Sequence, residues 1–290
     1  MQISELSSIE GRYSEYDIRD PDVVAVIDDM PIWSAPFGLA LLDAVQLKKN
    51  IRALDIGSGL GFPLIELAQR LGESCEVYGI DPWEQANERV RKKCMTWKLK
   101  NIQVITGKAE HLPFTDGFFH LIVSNNGTNN VDNDKSTFSE IFRVAKPDAQ
   151  IVLTMNLPDT FKEFYLIYRE VLQGKKWINE REKLEMHIQK KRKPLSHIIT
   201  ALESAGLEVI QVQQDAFYLR YSDGSTMLNS PFIRLAFKYS WMDVLDPNDV
   251  GLVFAKIEGR LNHLAEISGE LRLTVPWVCL NLRKPYSPSS

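Results

Sequence analysis

The segment Ala53-Leu-Asp-Ile-Gly-Ser-Gly-Leu-Gly-Phe-Pro63 carries the clearest chemistry in this sequence. An apolar run ends at Asp55, a glycine-rich bend follows, and a helix is predicted to begin near Phe62 or Pro63. Glycines at such a bend permit positive φ and let a ligand approach the backbone with no Cβ in the way. Exposed N–H groups at the start of the next helix favour a negatively charged part of that ligand. The glycines stand at 57, 59 and 61 in the pattern G-x-G-x-G, whereas a dinucleotide fingerprint has its third glycine where this chain has Phe62. The Asp55 carboxylate at the mouth of the bend repels a pyrophosphate and suits a ligand bearing an ammonium or sulfonium. NAD and FAD are therefore disfavoured. A nucleoside triphosphate loop is excluded because its Lys-Ser/Thr pair is missing.

Three further segments follow in order. Gly79-Ile-Asp81 closes a second apolar run with an acid, 81 − 61 = 20 residues beyond the last glycine. Gly107-Lys-Ala-Glu-His-Leu-Pro-Phe114 and Phe118-Phe-His-Leu-Ile-Val-Ser-Asn-Asn-Gly127 come next. Together the four segments resemble the motifs of class I S-adenosylmethionine-dependent methyltransferases. Within that family they are most similar to the small-molecule (methyltransferase type 11-like) branch, which has an LPF-type segment after the acid. The resemblance covers roughly residues 51–157 and extends loosely to 212 through Ala205-Gly206-Leu207. Lys146-Pro147 is similar to the family's K/R-P-x-G break, with Asp148-Ala149 in place of the glycine turn.

The resemblance implies S-adenosyl-L-methionine as cofactor and S-adenosyl-L-homocysteine as product. It places Asp55, Gly57, Ser58, Gly59 and Gly61 around the cofactor. Asp81, followed by Pro82, is implied to accept both ribose hydroxyls, which a carboxylate can do at once. The Ala109 backbone and the Glu110 side chain are implied to face the adenine edge. Trp83 either covers the adenine face or packs on the following helix. Asn125 and Asn126 fall at the carboxyl end of the fourth predicted strand, where open α/β sheets bind ligands, and are expected to line the donor or acceptor pocket.

Methyl transfer is a displacement at a carbon already activated by the sulfonium, so the protein mainly aligns the partners and excludes water. A base is needed only if the acceptor must lose a proton early. No catalytic residue is therefore assigned; His111 and Asn126 are the candidates, and His111 reads more readily as an exposed loop residue than as a general base. For the acceptor the candidates are Tyr16, Trp33, Asn126 and Tyr218, with Tyr13 beside Tyr16 in an N-terminal segment that in this family often folds over the cofactor. Seven aromatic residues crowd positions 217–241: Phe217, Tyr218, Tyr221, Phe232, Phe237, Tyr239 and Trp241. They form either a roof over an acceptor pocket, an aromatic mini-core or a dimer contact.

These residues need a scaffold, and the patterning supplies one. Between 51 and 156 short apolar runs alternate with amphipathic stretches, as in β-α units around a parallel sheet. Strands are predicted over Ile51–Ile56, Glu76–Asp81, Ile102–Thr106, Phe119–Ser124, Gln150–Met155 and Leu207–Val212, with a seventh near Arg272–Leu282. Helical stripes are Leu64/Leu67/Ala68/Leu71, Ala86/Val90/Cys94/Trp97, Phe138/Ile141/Phe142/Ala145 and Val250/Val253/Ile257/Leu261/Leu264. An earlier stripe, Leu39/Leu42/Val45, follows Ser34 as an N-cap. The polar run 174–194 contains the basic cluster Lys190-Lys-Arg-Lys193, which reads as a solvated linker. The expected fold is a Rossmann-like, seven-stranded, mostly parallel α/β sheet flanked by helices. Four segments divide it: an N-terminal helical cap (1–50), a cofactor-binding core (51–214), a helical, aromatic insertion (215–270) and the last core strand (271–284).

With 290 residues, 44% hydrophobic and 25% charged, the chain has the composition of a globular protein with an ample core. Its charge, 34 − 38 = −4, disfavours nucleic acid and anionic membrane as partners. The Asn/Asp/Ser-Pro-Pro-aromatic signature of base methylation is also missing after the fourth strand. Cys75, Cys94 and Cys279 are too widely spaced for a zinc site and read as reduced thiols of a cytoplasmic protein. No run approaches a membrane span, and no metal is expected. The expected partner is a small-molecule acceptor, and the expected state is a monomer or homodimer. The rival readings are a protein that binds the cofactor without methylating, or one that runs another reaction on it.

Overall fold

The computed structural model describes residues 16–30 and 32–286; Tyr13 and the end of the Pro/Ser tail lie outside them. Five short apolar runs form the strands of a sheet covered on both faces: β1 (Arg52–Ile56), β2 (Glu76–Asp81), β3 (Ile102–Thr106), β4 (Phe119–Asn125) and β5 (Ala145–Asn156). Two long strands complete it, β6 (Glu208–Tyr221) and β7 (Leu271–Arg283). The order is β3-β2-β1-β4-β5-β7-β6. β1 to β5 are parallel, and β7 runs antiparallel to both of its neighbours, β5 and β6. This is the expected seven-stranded, mostly parallel sheet.

The helices are α1 (Pro21–Asp28), α2 (Ser34–Ala44), α3 (Leu64–Leu71), α4 (Glu84–Trp97), α5 (Asp134–Val144), α6 (Lys162–Val171), α7 (Ile178–Lys191), α8 (Leu195–Ser204), α9 (Gly224–Asn229) and α10 (Val250–Ser268). Between α9 and α10 a helical stretch, 231–242, contains the π-turn Arg234–Lys238. α3 shows why the sequence folds as it does. All four stripe residues, Leu64, Leu67, Ala68 and Leu71, are buried against the sheet, and Gly72 ends the helix at positive φ. Burying each leucine contributes about 1.5–3 kcal/mol.

Three expectations shift. Ser34 is the first residue inside α2, with Trp33 at the N-cap position; Leu39 faces solvent while Phe37, Leu41 and Leu42 are buried. The run 174–194 contains α7, whose polar character reflects wide solvation around one deeply buried residue, Leu184. β6 extends to Tyr221, so the segment set apart from residue 215 begins inside a strand. Its Gln211, Gln213, Gln214 and Asp215 sit on the sheet edge facing solvent, which hides the period-two pattern.

The last pairs of β5 with β7 end at Asn156↔Trp277, while β6 and β7 stay paired as far as Tyr221↔Leu271. A two-stranded ribbon therefore projects past the carboxyl end of β5 and carries 222–270 there. Beneath it Trp33 packs against Phe37, Phe161, Phe217, Phe232 and Phe237, with ring centroids 5.3–6.1 Å apart. Phe164 stacks on Trp241 at 3.9 Å. The N-terminal helix α2, α6, the ribbon and the 231–242 stretch thus share one aromatic core.

Candidate active site

The carboxyl ends of β1, β2, β4 and β5 open on one edge of the sheet. Strand order reverses between β1 and β4, which leaves a crevice there. Gly57, Gly59 and Gly61 take φ of 74°, 48° and 97°, a region in which a side chain would be strained. The bend is closed by backbone bonds: Gly57 N–H donates to Ile80 O at 2.8 Å and Gly61 N–H to Ser58 O at 2.8 Å. Gly79 allows α3 to close on the bend, because a Cβ there would lie 2.5 Å from Leu64 Cδ2.

Asp55 is fully buried, and neither carboxylate oxygen has a hydrogen-bond partner among the described residues. Burial, then the nearby Asp81 charge, push its pKa up to about 8. The Ser58 hydroxyl is also buried without a partner among the described residues. Asp81 accepts from Gly59 N–H and from Trp83 N–H, both at 2.9 Å. Burial raises its pKa against the pull of those two donors. Asn87, which the sequence reading passed over, steadies this strand end by donating to Asp81 O and Thr106 Oγ1, both at 2.9 Å.

A cleft of about 290 Å³ opens beside the bend. Of the expected residues, Gly57, Asp81, Pro82, Ala109 and Glu110 line it. Ser58, Gly59 and Gly61 belong to the same bend, and Asp55 to the strand that leads into it, but none of the four lines the cleft. Glu110 Oε1 accepts from Asp132 N–H at 2.8 Å, fastening the turn after β4 at the cleft. That turn adds Gly127, Asn130, Val131 and Asp132 to the wall, residues missed in the sequence although the Asn-rich run 125–130 signalled a turn.

The remaining candidates fall elsewhere. Trp83 is buried beneath α1, its Nε1 donating to Ile18 O at 3.1 Å, and does not line the cleft. Asn125 donates to Ser34 O at 3.0 Å and accepts from Thr154 Oγ1 at 2.9 Å, tying α2 to the sheet. Asn126, at φ 62°, turns its Oδ1 to Asn129 Nδ2 and Asn156 N–H. His111 is exposed and outside the cleft. Tyr16 lies under the Arg234 guanidinium, 5.8 Å from its ring. Trp33 is sealed in the aromatic core, and Tyr218 is half exposed on β6 beneath Arg272. No group of three or more His, Cys, Asp or Glu that could hold a metal is found among the described residues. No helix among them is long and apolar enough to cross a membrane.

The donor set suits a nucleoside that bears positive charge. The cleft carries Asp81, Glu110 and Asp132 against one cation, Lys108. A pyrophosphate would meet like charge there.

Comparison with known proteins agrees. A family model described as a methyltransferase domain matches residues 47–195, just over half of the chain. The chain is 30% identical over 127 residues to the demethylmenaquinone methyltransferase of Geobacillus sp., covering 43% of this chain and 54% of that protein. It is 30% identical over 151 residues to the Staphylococcus epidermidis enzyme of the same name, covering 50% and 62%. It thus spans little more than half the length of these curated relatives. A SAM-dependent methyltransferase from Aquifex aeolicus has the same fold, with a TM-score of 0.52 at 23% identity over 67% of this chain and 91% of that one. The chain belongs to the class I S-adenosylmethionine-dependent methyltransferase family.

Proposed function

We propose that this protein transfers the methyl group of S-adenosylmethionine to O, N or C of a small, partly apolar acceptor. The observation that carries this reading is the buried Asp55 and Asp81 pair at a G-x-G-x-G bend on the switch-point edge of the sheet. Asp81 would accept the ribose hydroxyls while keeping Gly59 in place. Ala109 and Glu110 would border the adenine, and Asp55, protonated in the cofactor-free protein, would be drawn toward ionisation by the cofactor's positive charge. The bound sulfonium supplies an already activated methyl carbon, so the chain's own residues have only to orient the partners and exclude water. The ribbon and the 231–242 stretch, standing past the end of β5, are suited to that exclusion. Residues 16–30 and 32–50 of the cap, with the 215–270 insertion, would serve the same role beside the 51–214 core.

The curated relatives named above act on demethylmenaquinone, which makes that compound the first acceptor to try. The buried, unpaired cysteines fit a reducing cytoplasm, and a monomer or homodimer is the expected state. The test is transfer of labelled methyl from S-adenosylmethionine to demethylmenaquinone and to a metabolite extract. Label appearing in a small organic product supports the reading. Cofactor binding with no transfer to any fraction would mark a protein that binds the cofactor without methylating.

A further inference from the structure

A second cavity, of about 60 Å³, lies among α6, α7, residues 159–161 and the 231–242 stretch. A hydrogen-bonded chain joins it to the cofactor cleft. Asn130 lines the cleft, and its neighbour Asn129 donates to Asn156 O at 3.2 Å. The Asn156 side-chain amide faces the Arg192 guanidinium, 2.9 Å from Nη2, and Arg192 lines the second cavity. The cavity therefore stands at the carboxyl ends of β4 and β5, where an acceptor must approach the transferred methyl.

Its charge is one-sided. Lys162, Arg169 and Arg192 line it against a single acid, Asp159. Arg169 is shared with Glu185 outside the lining, through bonds of 2.6 and 2.9 Å. Phe161, Ile188 and Phe237 supply an apolar wall beside these cations. The Tyr165 hydroxyl accepts from Trp241 Nε1 at 3.0 Å and lies 3.4 Å from His187 Nε2, so this side is held by a fixed polar chain. At roughly 10–15 Å³ per water, the space takes about four to six heavy atoms. That is the size of one charged head group, with the rest of a molecule lying along the aromatic wall.

We propose that this cavity is the acceptor's head-group site, and that Arg192 and Lys162 select acceptors carrying an anionic oxygen group, a carboxylate or a phosphate. Guanidinium groups suit both, because their planar fork meets two oxygens at once. The assignment of the cavity to the acceptor rests on the methyl-transfer reading; its preference for an anion does not, and it would set this chain's acceptor apart from demethylmenaquinone, which carries neither group.

The experiment titrates the protein, loaded with S-adenosylhomocysteine, with benzoate, phenyl phosphate and the uncharged benzamide. Binding is followed by ligand-observed magnetic resonance and calorimetry. The expected result is at least tenfold tighter binding of one of the two anions than of benzamide, and which anion it is identifies the source of the charge. Arg192→Met should remove that preference, and Lys162→Met, at an exposed position, should reduce it several-fold with an unchanged thermal melt. Equal binding of all three compounds, or a preference that survives both substitutions, overturns the proposal. Anion preference without any binding of S-adenosylhomocysteine would leave the anion site standing and remove the methyl-transfer reading instead.

Discussion

The backbone N–H of Gly59 donates at 2.9 Å to Oδ2 of Asp81. The acid that ends β2 thus holds the apex of the bend that follows β1, while its other oxygen accepts from Trp83 N–H. Each carboxylate oxygen has two lone pairs, so one on each remains for a sugar hydroxyl. One side chain shapes the bend and, in the function proposed above, would also grip the ribose.

Asp81→Ala should therefore weaken S-adenosylmethionine binding by about 1.5–3 kcal/mol, the range for hydrogen bonds to a charged group. In Kd this is roughly a ten- to hundredfold loss, read by calorimetry. An unchanged constant would remove Asp81 from the ribose.

Asp55 makes stability depend on pH. Its folded pKa of about 8 lies above the ordinary 3.8, so between these values the folded chain keeps a proton that the unfolded chain has released. Stability must fall as pH rises through that window and level off above it. Asp81, also raised, acts in the same direction. Thermal melts of the cofactor-free protein from pH 5 to 8 should show a shallower decline for Asp55→Asn than for the wild type. Parallel declines would mean that Asp55 is ionised throughout.

Gly38 sits where α2 crosses the bend. A Cβ on it would lie 2.2 Å from Phe62 Cε1 and 3.2 Å from Asn125 Nδ2. Gly38→Ala should cost about 1–3 kcal/mol by overpacking, seen as a lower melting temperature. Adding Phe62→Leu should restore part of it. No recovery would place the strain in the backbone.

Trp33 and Tyr218 were both candidates for the acceptor, and their surroundings separate them. Trp33→Ala empties the centre of the aromatic core and should destabilise by about 3–5 kcal/mol. Tyr218→Ala, at a half-exposed edge position, should leave the melt within about 0.5 kcal/mol. Denaturant unfolding distinguishes the two, and equal effects would contradict the packing described for Trp33.

The bend and strand ends proposed to hold the cofactor were legible in the sequence because their chemistry is local. Asp55 through Gly61 is one contiguous bend, and Gly79–Asp81 and Gly107–Glu110 are each one strand end. A linear pattern can carry such a site. The cavity proposed for the acceptor is assembled from positions 159 to 240 on four separate segments, and nothing in their order announces that they meet. The cluster Lys190–Lys193 reads as a solvated linker, yet Arg192 turns onto Asn156 and Lys193 bonds Asp134. Trp83, which the sequence leaves open between the adenine face and the following helix, takes the second course and packs with Ala86. Its position beside Asp81 suggests the adenine face, but α1, arriving from far along the chain, covers the ring.

The most direct test of the central claim is titration of the wild-type protein with S-adenosylmethionine, S-adenosylhomocysteine and NAD. Both S-adenosyl compounds should bind one to one and NAD should give no heat, because its pyrophosphate meets the carboxylates of the cleft. Binding of NAD together with silence toward S-adenosylmethionine would contradict the assignment of this cleft.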